Sequence, residues 1–459
     1  MSSRIVSFIE EFARLRPLRK KRAQPGSNAI PRGSTIAIIG GGLAGPAFAR
    51  RALCLASETG IPIRVELLTH HNCNFCAGLI TDLTLKTMND LYGLSIPAQV
   101  IKETISEVIF ISRHGSLKLP LLAPLTSVLR TNKFSQKGFD DSWIDSVFKG
   151  LRTFSSFNVR RNARVTEISR KKIGSGFLVT YEKGTEIHTL DADFTVIATG
   201  LKSIQQLFMQ RFISDFGYQP PEQVDASVTE IDTIGATHYD FSGRILVIDG
   251  VVEDCLVAFI PKGRGWLTVT GLGKVLANHH MEILFNNPLV KQYIRLENVV
   301  DHLRCRKICS ASVAGKPART FFGDGWVMIG DLTGYGRALK DGYFAALRSA
   351  DLAARALICH GPSEASFHQN YFKPVSKLSF DNQIGMMLYN LDQRFVNGPV
   401  GKLLFGTAHA ELRRDAYGGL VTAALRALFT GELSYKMILA LFASGIGSHL
   451  LRGGKSAAI

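Results

Sequence analysis

STIAIIGGGLAGPAFARRALCLA, residues 34 to 56, runs from an apolar stretch through a cluster of glycines directly into a helical pattern. Residues 35–39 have the branched composition of a buried parallel strand, and Phe48, Ala52 and Leu55 recur at helical spacing. Gly40, Gly42 and Gly45 fall between the two at G-x-G-x-x-G spacing. The first glycine permits the turn, the second lets the backbone approach a pyrophosphate, and the third lets the helix lie close on its strand. The helix start then offers unpaired N–H groups and the positive end of its dipole to the phosphates. A second apolar strand follows at residues 61–69. It should end in an acid that holds the adenosine ribose, but it ends in Thr69 and His70, with Glu66 in mid-strand pointing into the sheet.

Two later stretches extend this unit. An apolar strand from Phe194 closes on VIATG, residues 196–200, ending at Gly200. DGWVMIGDLTGYGRALKDGYFAALRSADLAARAL, residues 324–357, opens with a short buried strand that stops at Gly330-Asp331. A glycine-rich turn and a small-residue helix over residues 341–357 follow. A carboxylate and free backbone N–H groups at that strand end suit the hydroxyls and phosphates of an extended cofactor, and the helix start favours negative charge on a reduced ring system.

With 459 residues, 46% of them hydrophobic, the chain can bury the cores of two or three lobes, which excludes a disordered protein. Its net charge of +16 is concentrated at the ends. Residues 1–33 hold eight basic residues against Glu10 and Glu11, or +6, and residues 361–459 hold ten against six, or +4. That distribution points to an anionic surface touched by the termini and away from a nucleic-acid groove. Ile5, Phe8, Ile9, Phe12 and Leu15 recur at helical spacing ahead of Arg16, Arg19, Lys20, Lys21 and Arg22. This amphipathic helix with a basic tail suits docking on anionic lipid or a partner, or packing on the protein's own surface.

Seven cysteines, an odd number, without a secretory h-region indicate a reducing cytoplasm and no disulfide framework. His70, His71, Cys73 and Cys76 make one C-x-x-C cluster without a matching pair, so no metal is expected; with Ala77, Gly78 and Leu79 it reads as a small-residue turn close to a cofactor. Residues 437–451 are the nearest approach to a membrane span, and Ser444, Gly445, Gly447, Ser448 and His449 interrupt them. Short strands are expected over residues 159–165, 177–181 and 186–190. Antiparallel strands at 227–233, 244–249, 255–260 and 265–270 would form the floor of a substrate lobe, with helix over 278–304. An apolar helical C-terminal region would cap a substrate tunnel or rest on a bilayer.

In their order and spacing, GGGLAG, VIATG and D-x5-G-D before a glycine-rich helix start resemble the FAD-binding domain of para-hydroxybenzoate-hydroxylase-type flavoproteins. Among these the chain most resembles the geranylgeranyl reductase family over residues 34–440. CAGL at 76–79 is similar to that family's Cys-Gly-Gly segment, IPKGRGWLTVTGLG at 260–273 to its Phe-Pro segment ending in Gly-Leu-Gly, and ALFTGELSYKMIL at 427–439 to its tails. The resemblance implies that Gly40, Gly42 and Gly45 line the FAD pyrophosphate and that Val165 meets the adenine end through its backbone. It further implies that Gly330 and Asp331 face the ribityl chain or pyrophosphate, and that Gly334, Gly336 and Gly342 shape the turn beside the isoalloxazine. Three departures stand out. The ribose acid is missing. The turn after Gly-Asp has Arg337, Ala338, Leu339 and Lys340 in place of the usual proline and is one residue short. Leu256, Ala258, Ile260 and Pro261 replace both the Tyr-x-Trp-x-Phe-Pro of prenyl reductases and the Trp-x-Trp-x-Ile-Pro of flavin halogenases.

The expected fold is α/β: a Rossmann-like FAD-binding domain of the two-dinucleotide-fold type, an inserted antiparallel-sheet substrate domain and a helical C-terminal region. The boundaries read as a basic arm (1–33), FAD-binding parts at 34–110, 151–205 and 301–360, substrate-lobe parts at 111–150 and 206–300, and the C-terminal helices (361–459). The expected activity is FAD-dependent oxidoreduction of an apolar, isoprenoid or lipid-like substrate by hydride transfer through flavin N5, with Cys76, Lys340 and Arg337 as candidate catalytic groups. The alternatives are a flavin monooxygenase acting on an aromatic or olefinic substrate and a non-catalytic, membrane-attached lipid-binding shell. No second nucleotide motif identifies the electron donor, so NADPH, a ferredoxin and a quinone all stay open. The protein is expected in the cytoplasm, with peripheral attachment to the inner face of a membrane as an option.

Overall fold

The computed structural model describes residues 26, 29–70, 77–129, 143–263, 265–336, 342–377 and 379–456. Its first layer is a six-stranded sheet. From edge to edge the strands are Phe322–Gly323, Trp326–Met328, Phe194–Ile197, Thr35–Ile39, Arg64–Thr69 and Phe157–Arg161. All pairs are parallel except the first, and Ile38 stands between Val196 and Leu67. Ile36, Ala37, Ile38 and Ile39 are all buried, because helices or strands cover both faces, which explains the unbroken apolar run.

Helix Ala44–Thr59 crosses from the first strand to its neighbour and ends at Gly60, whose left-handed φ of 69° frees its N–H for Ala56 and Ser57 carbonyls. Helix Gly342–Arg355 packs beside it. Buried Asp351 joins the two, accepting from Arg51 Nε at 2.8 Å and Arg355 Nε at 3.0 Å, with Arg348 at 3.4 Å. A three-stranded antiparallel sheet, Arg164–Arg170, Phe177–Lys183 and Glu186–Ala192, flanks the domain. Its entry is tied to the second strand by the Ala163 N–H, which donates to the Thr69 carbonyl at 3.1 Å.

The second layer is an eight-stranded sheet in the order Cys309–Ala314, Gln223–Asp232, Trp266–Leu272, Cys255–Pro261, Arg244–Val252, Ile101–Ser112, Gly115–Val128, Leu79–Ile80. It is antiparallel apart from one parallel pair, Arg244–Val252 with Ile101–Ser112. The sheet therefore draws on residues 101–110 and 309–314, which the sequence reading placed in the FAD-binding parts. Strand Gly115–Val128 runs through Pro120 and Pro124 at an irregularity of the hairpin, with Pro120 opposite Glu107.

Side chains alternate across this sheet with a period of two. Leu246, Ile248, Val257 and Phe259 face helix Asn278–Asn286, where Phe259 and Phe285 rings lie 5.0 Å apart. Ile245, Val247, Leu256, Ala258 and Ile260 face helices Pro399–Arg414, Leu420–Thr430 and Tyr435–Ser456. Helix over 278–304 is a correction: α-helix stops at Asn286, because extended Asn287 precedes Pro288, and the chain then passes through short turns to a bridge between Ile294–Arg295 and His238–Tyr239. Among the described residues no helix is long and apolar enough to cross a membrane.

Candidate active site

The site begins at the carboxyl ends of the parallel strands. Gly40 donates its N–H to the Leu68 carbonyl at 2.9 Å and holds a φ of 116°, and a Cβ there would lie 2.4 Å from the Ala198 carbonyl oxygen. A Cβ on Gly45 would lie 2.1 Å from the Gly40 oxygen, so helix and strand touch through bare backbone. Helix Ala44–Thr59 begins at Leu43 without a side-chain cap and without an acid in its first turn. Its first N–H groups stay available to an anion, and Gly42, Leu43 and Ala44 line a cavity of about 920 Å³.

The two other sequence pieces meet them there. The Ala198 N–H donates to the Ile39 carbonyl at 2.7 Å, which brings Ala198, Thr199 and Gly200 onto the cavity wall. The Ile329 N–H donates to Ile197 at 3.0 Å and Gly330 to Ser349 Oγ at 2.9 Å, which sets Gly330 and Asp331 beside the helix start. Asp331 faces the cavity, with Gly336 and Gly342 around its carboxylate, and crowding by protein atoms raises its pKa above the usual range. Gly334 is placed differently: its left-handed turn packs against Pro317 and Pro221, away from the lining. Val165 is buried in strand Arg164–Arg170, near the end of the second strand and outside the lining. Glu66 is engaged elsewhere, accepting from Asn158 Nδ2 at 2.9 Å and Arg160 Nε at 2.8 Å. Cys76 and its His/Cys cluster beyond His70, Arg337, Lys340 and residues 1–25 of the basic arm lie outside the described residues.

Two features were not legible in the sequence. Lys262 is 3% exposed, and its Nζ donates to the carbonyls of Ala77 at 2.6 Å, Gly78 at 3.0 Å and Val128 at 2.8 Å, with Ser127 Oγ at 3.2 Å. It latches the turn that leads into the cavity; the only sequence signal was its place in IPKGRG. Further along the chamber, Asp249 and Asp392 form a buried pair bridged by Gln393 Nε2, 3.2 Å from Asp249 Oδ1 and 3.3 Å from Asp392 Oδ2. Burial, and then the neighbouring Asp249, push the Asp392 carboxyl up to about 9. Both carboxyls therefore hold a proton more tightly than free ones, each disfavouring charge on the other.

The same cavity continues as an apolar chamber between sheet and C-terminal helices, walled by Phe110, Leu256, Ile260, Phe405, Phe429 and Phe442. An uncapped helix start, glycines where a Cβ would strike backbone, and a carboxylate at the next strand end fit an elongated, doubly charged dinucleotide lying along the sheet edge.

The architecture is that of the Rossmann-type flavoproteins. Solved structures that share it include a geranylgeranyl bacteriochlorophyll reductase-like protein from Thermoplasma acidophilum, with a TM-score of 0.63 and 11% identity over 92% of this chain and 99% of that one. The p-nitrophenol 4-monooxygenase PnpA from Pseudomonas putida gives 0.61 and 13% over 88% and 99%, and the flavin-dependent brominase Bmp2 0.58 and 16% over 92% and 100%. At such identities the likeness is one of fold. No protein-family model and no curated protein matches the sequence.

Proposed function

We propose that the protein is an FAD-dependent oxidoreductase acting on an apolar, isoprenoid or lipid-like substrate. The observation that carries this reading is the continuity of the cavity: one space of about 920 Å³ joins the glycine-lined sheet edge to a chamber walled by aliphatic and phenyl side chains. FAD bound along the edge supplies two-electron chemistry, here hydride transfer through N5. The start of helix Ala44–Thr59, Gly40, Gly42, Gly45 and Gly200 would hold its pyrophosphate half, and Gly330, Asp331, Gly336 and Gly342 its ribityl chain and ring edge. Lys262 keeps the Ala77–Gly78 backbone against that edge, and the phenyl walls exclude water and align an apolar substrate. The fold neighbours include a reductase-like protein and a monooxygenase, so they support a flavoenzyme and leave the reaction to experiment.

The test is the visible spectrum of the purified protein before and after anaerobic addition of NADPH. Oxidised-flavin bands that bleach support an oxidoreductase with a nicotinamide donor. Bands that persist keep the flavoenzyme and turn the search to a ferredoxin or quinone. Oxygen consumption coupled to hydroxylation of an aromatic or olefinic compound would replace hydride transfer by monooxygenation. A colourless protein that takes up no added FAD refutes the proposal and favours a lipid-carrying shell.

A further inference from the structure

The C-terminal helices close the chamber incompletely. Along helix Ser379–Phe395, Leu388 and Asp392 line the cavity, while Met387, Asn390 and Arg394 face outward. Leu391 and Phe395 stand between these faces: both line the cavity, yet they are 42% and 43% exposed. Val400, at the start of helix Pro399–Arg414, lines the same space from across the turn and is 48% exposed. Exposed Arg394 and Lys402 flank the three, and Asn397 and Pro399 complete the outward face. Three acids of these helices are engaged elsewhere, and exposed Asp254 lies near Tyr389 of helix Ser379–Phe395. Asp392 is paired with Asp249, Asp381 accepts from the Lys436 N–H, and Glu411 accepts from the N–H groups of Val421 and Thr422.

An apolar rim around an apolar chamber, edged by the exposed cations Arg394 and Lys402, has the pattern of a surface covered in use. The occupant follows from charge and from what the opening leads to. Arg394 and Lys402 make the outward face of the rim basic, and residues 361–459 carry +4. A protein lid would seal the chamber, whereas a bilayer both covers the rim and delivers apolar molecules without a passage through water. We propose that the rim of Leu391, Phe395 and Val400 docks on an anionic lipid bilayer, from which the substrate enters the chamber laterally. Lateral entry rests on the apolar-substrate reading; docking stands independently of it.

This contact lies away from the point where the basic arm joins the domain. The arm joins where Gly33 donates to the Pro62 carbonyl at 2.7 Å and Gly26 to Cys359 at 2.8 Å, at the amino ends of the parallel strands, whereas the cavity begins at their carboxyl ends. The experiment is vesicle co-sedimentation of the full-length protein with phosphatidylcholine vesicles, with and without phosphatidylserine. The wild-type protein sediments with the mixed vesicles. Leu391→Ser/Phe395→Ser/Val400→Ser lowers that partition by at least about tenfold while the thermal midpoint and visible spectrum stay unchanged. Arg394→Glu/Lys402→Glu abolishes the preference for phosphatidylserine. Lys20→Glu/Lys21→Glu in the arm leaves rim-dependent binding in place. Ile187→Ser, at a 73%-exposed position on the three-stranded sheet, changes nothing. Wild-type protein that ignores vesicles, rim variants that bind like wild type, or a dimer in light scattering that the triple variant disperses would each overturn the proposal. Rim-dependent binding by a protein without flavin would leave docking intact and remove only the oxidoreductase reading.

Discussion

Replacing Lys262 by methionine keeps the length of a buried side chain and deletes its ammonium. Four acceptors lie within 3.2 Å of Nζ, all on the Ala77–Gly78 turn or the end of strand Gly115–Val128. Each hydrogen bond from a charged donor is worth about 1.5–3 kcal/mol, so three N–H groups contribute roughly 4–9 kcal/mol before desolvation. Keeping the ammonium out of water costs several kcal/mol, which leaves a net loss of about 2–4 kcal/mol on substitution. Unfolding entropy of about 2.1 cal/mol/K per residue gives this chain roughly 1 kcal/mol/K, so the midpoint should fall by about 2–4 °C. The turn would also loosen beside the cavity, and FAD affinity, read by quenching of flavin fluorescence, should drop about tenfold. Lys262→Arg should not rescue, because a Cβ on Gly78 would already lie 2.8 Å from Nζ and a guanidinium has no room. A Lys262→Met protein with wild-type midpoint and wild-type FAD affinity would refute the latch.

Gly45→Ala places a Cβ 2.1 Å from the Gly40 oxygen, so the helix must lift off its strand, at a cost above about 3 kcal/mol; normal expression and midpoint would contradict that packing. Asp331→Asn should weaken FAD binding about tenfold in titration without lowering the midpoint of the apoprotein, since its carboxylate reaches into the cavity and is not packed in the core; an apoprotein that melts early would assign it a structural role instead. The Asp249–Asp392 pair holds a proton in the folded state that the unfolded chain has released above about pH 4. Stability therefore falls as pH rises from about 4 towards the folded value of about 9 and levels off beyond it. Asp392→Asn should flatten that slope and raise the midpoint at pH 8 by about 1–3 °C; an unchanged pH profile in thermal melts would exclude the held proton.

The parts legible in the sequence are those whose physics is local. Gly40 and Gly45 are required by contacts made within one strand–turn–helix unit, and Trp326–Met328 announces itself as a short apolar run ending in Gly-Asp. The strands at 223–232, 244–252, 255–261 and 266–272 were likewise visible from branched runs between turns. What stayed hidden depends on chain segments far apart. Lys262 finds its acceptors 134 to 185 residues away, and nothing around it says that it is buried. Asp249 meets Gln393 across 144 residues. The Ile101–Val128 region was split between domains at residue 110, because what assigns both strands to the second sheet is the pairing of Ile101–Ser112 with Arg244–Val252, far along the chain. Glu66 was correctly read as pointing into the sheet, but its partners Asn158 and Arg160 come from a strand that joins only in the folded chain.

The order of strands in the first sheet also sets a schedule for synthesis. Thr35–Ile39 needs Phe194–Ile197 on one side, and that strand needs Trp326–Met328 on its other. A nascent chain leaving the ribosome therefore carries its glycine turn for nearly three hundred residues before the last parallel neighbour exists, and the eight-stranded sheet must largely form in the interval. Such long-range closure is slow and leaves apolar strand edges open meanwhile. Translation pauses before residue 328, or truncated transcripts, should accordingly yield chains that chaperones retain, whereas chains that pass this point can close the cradle in one step.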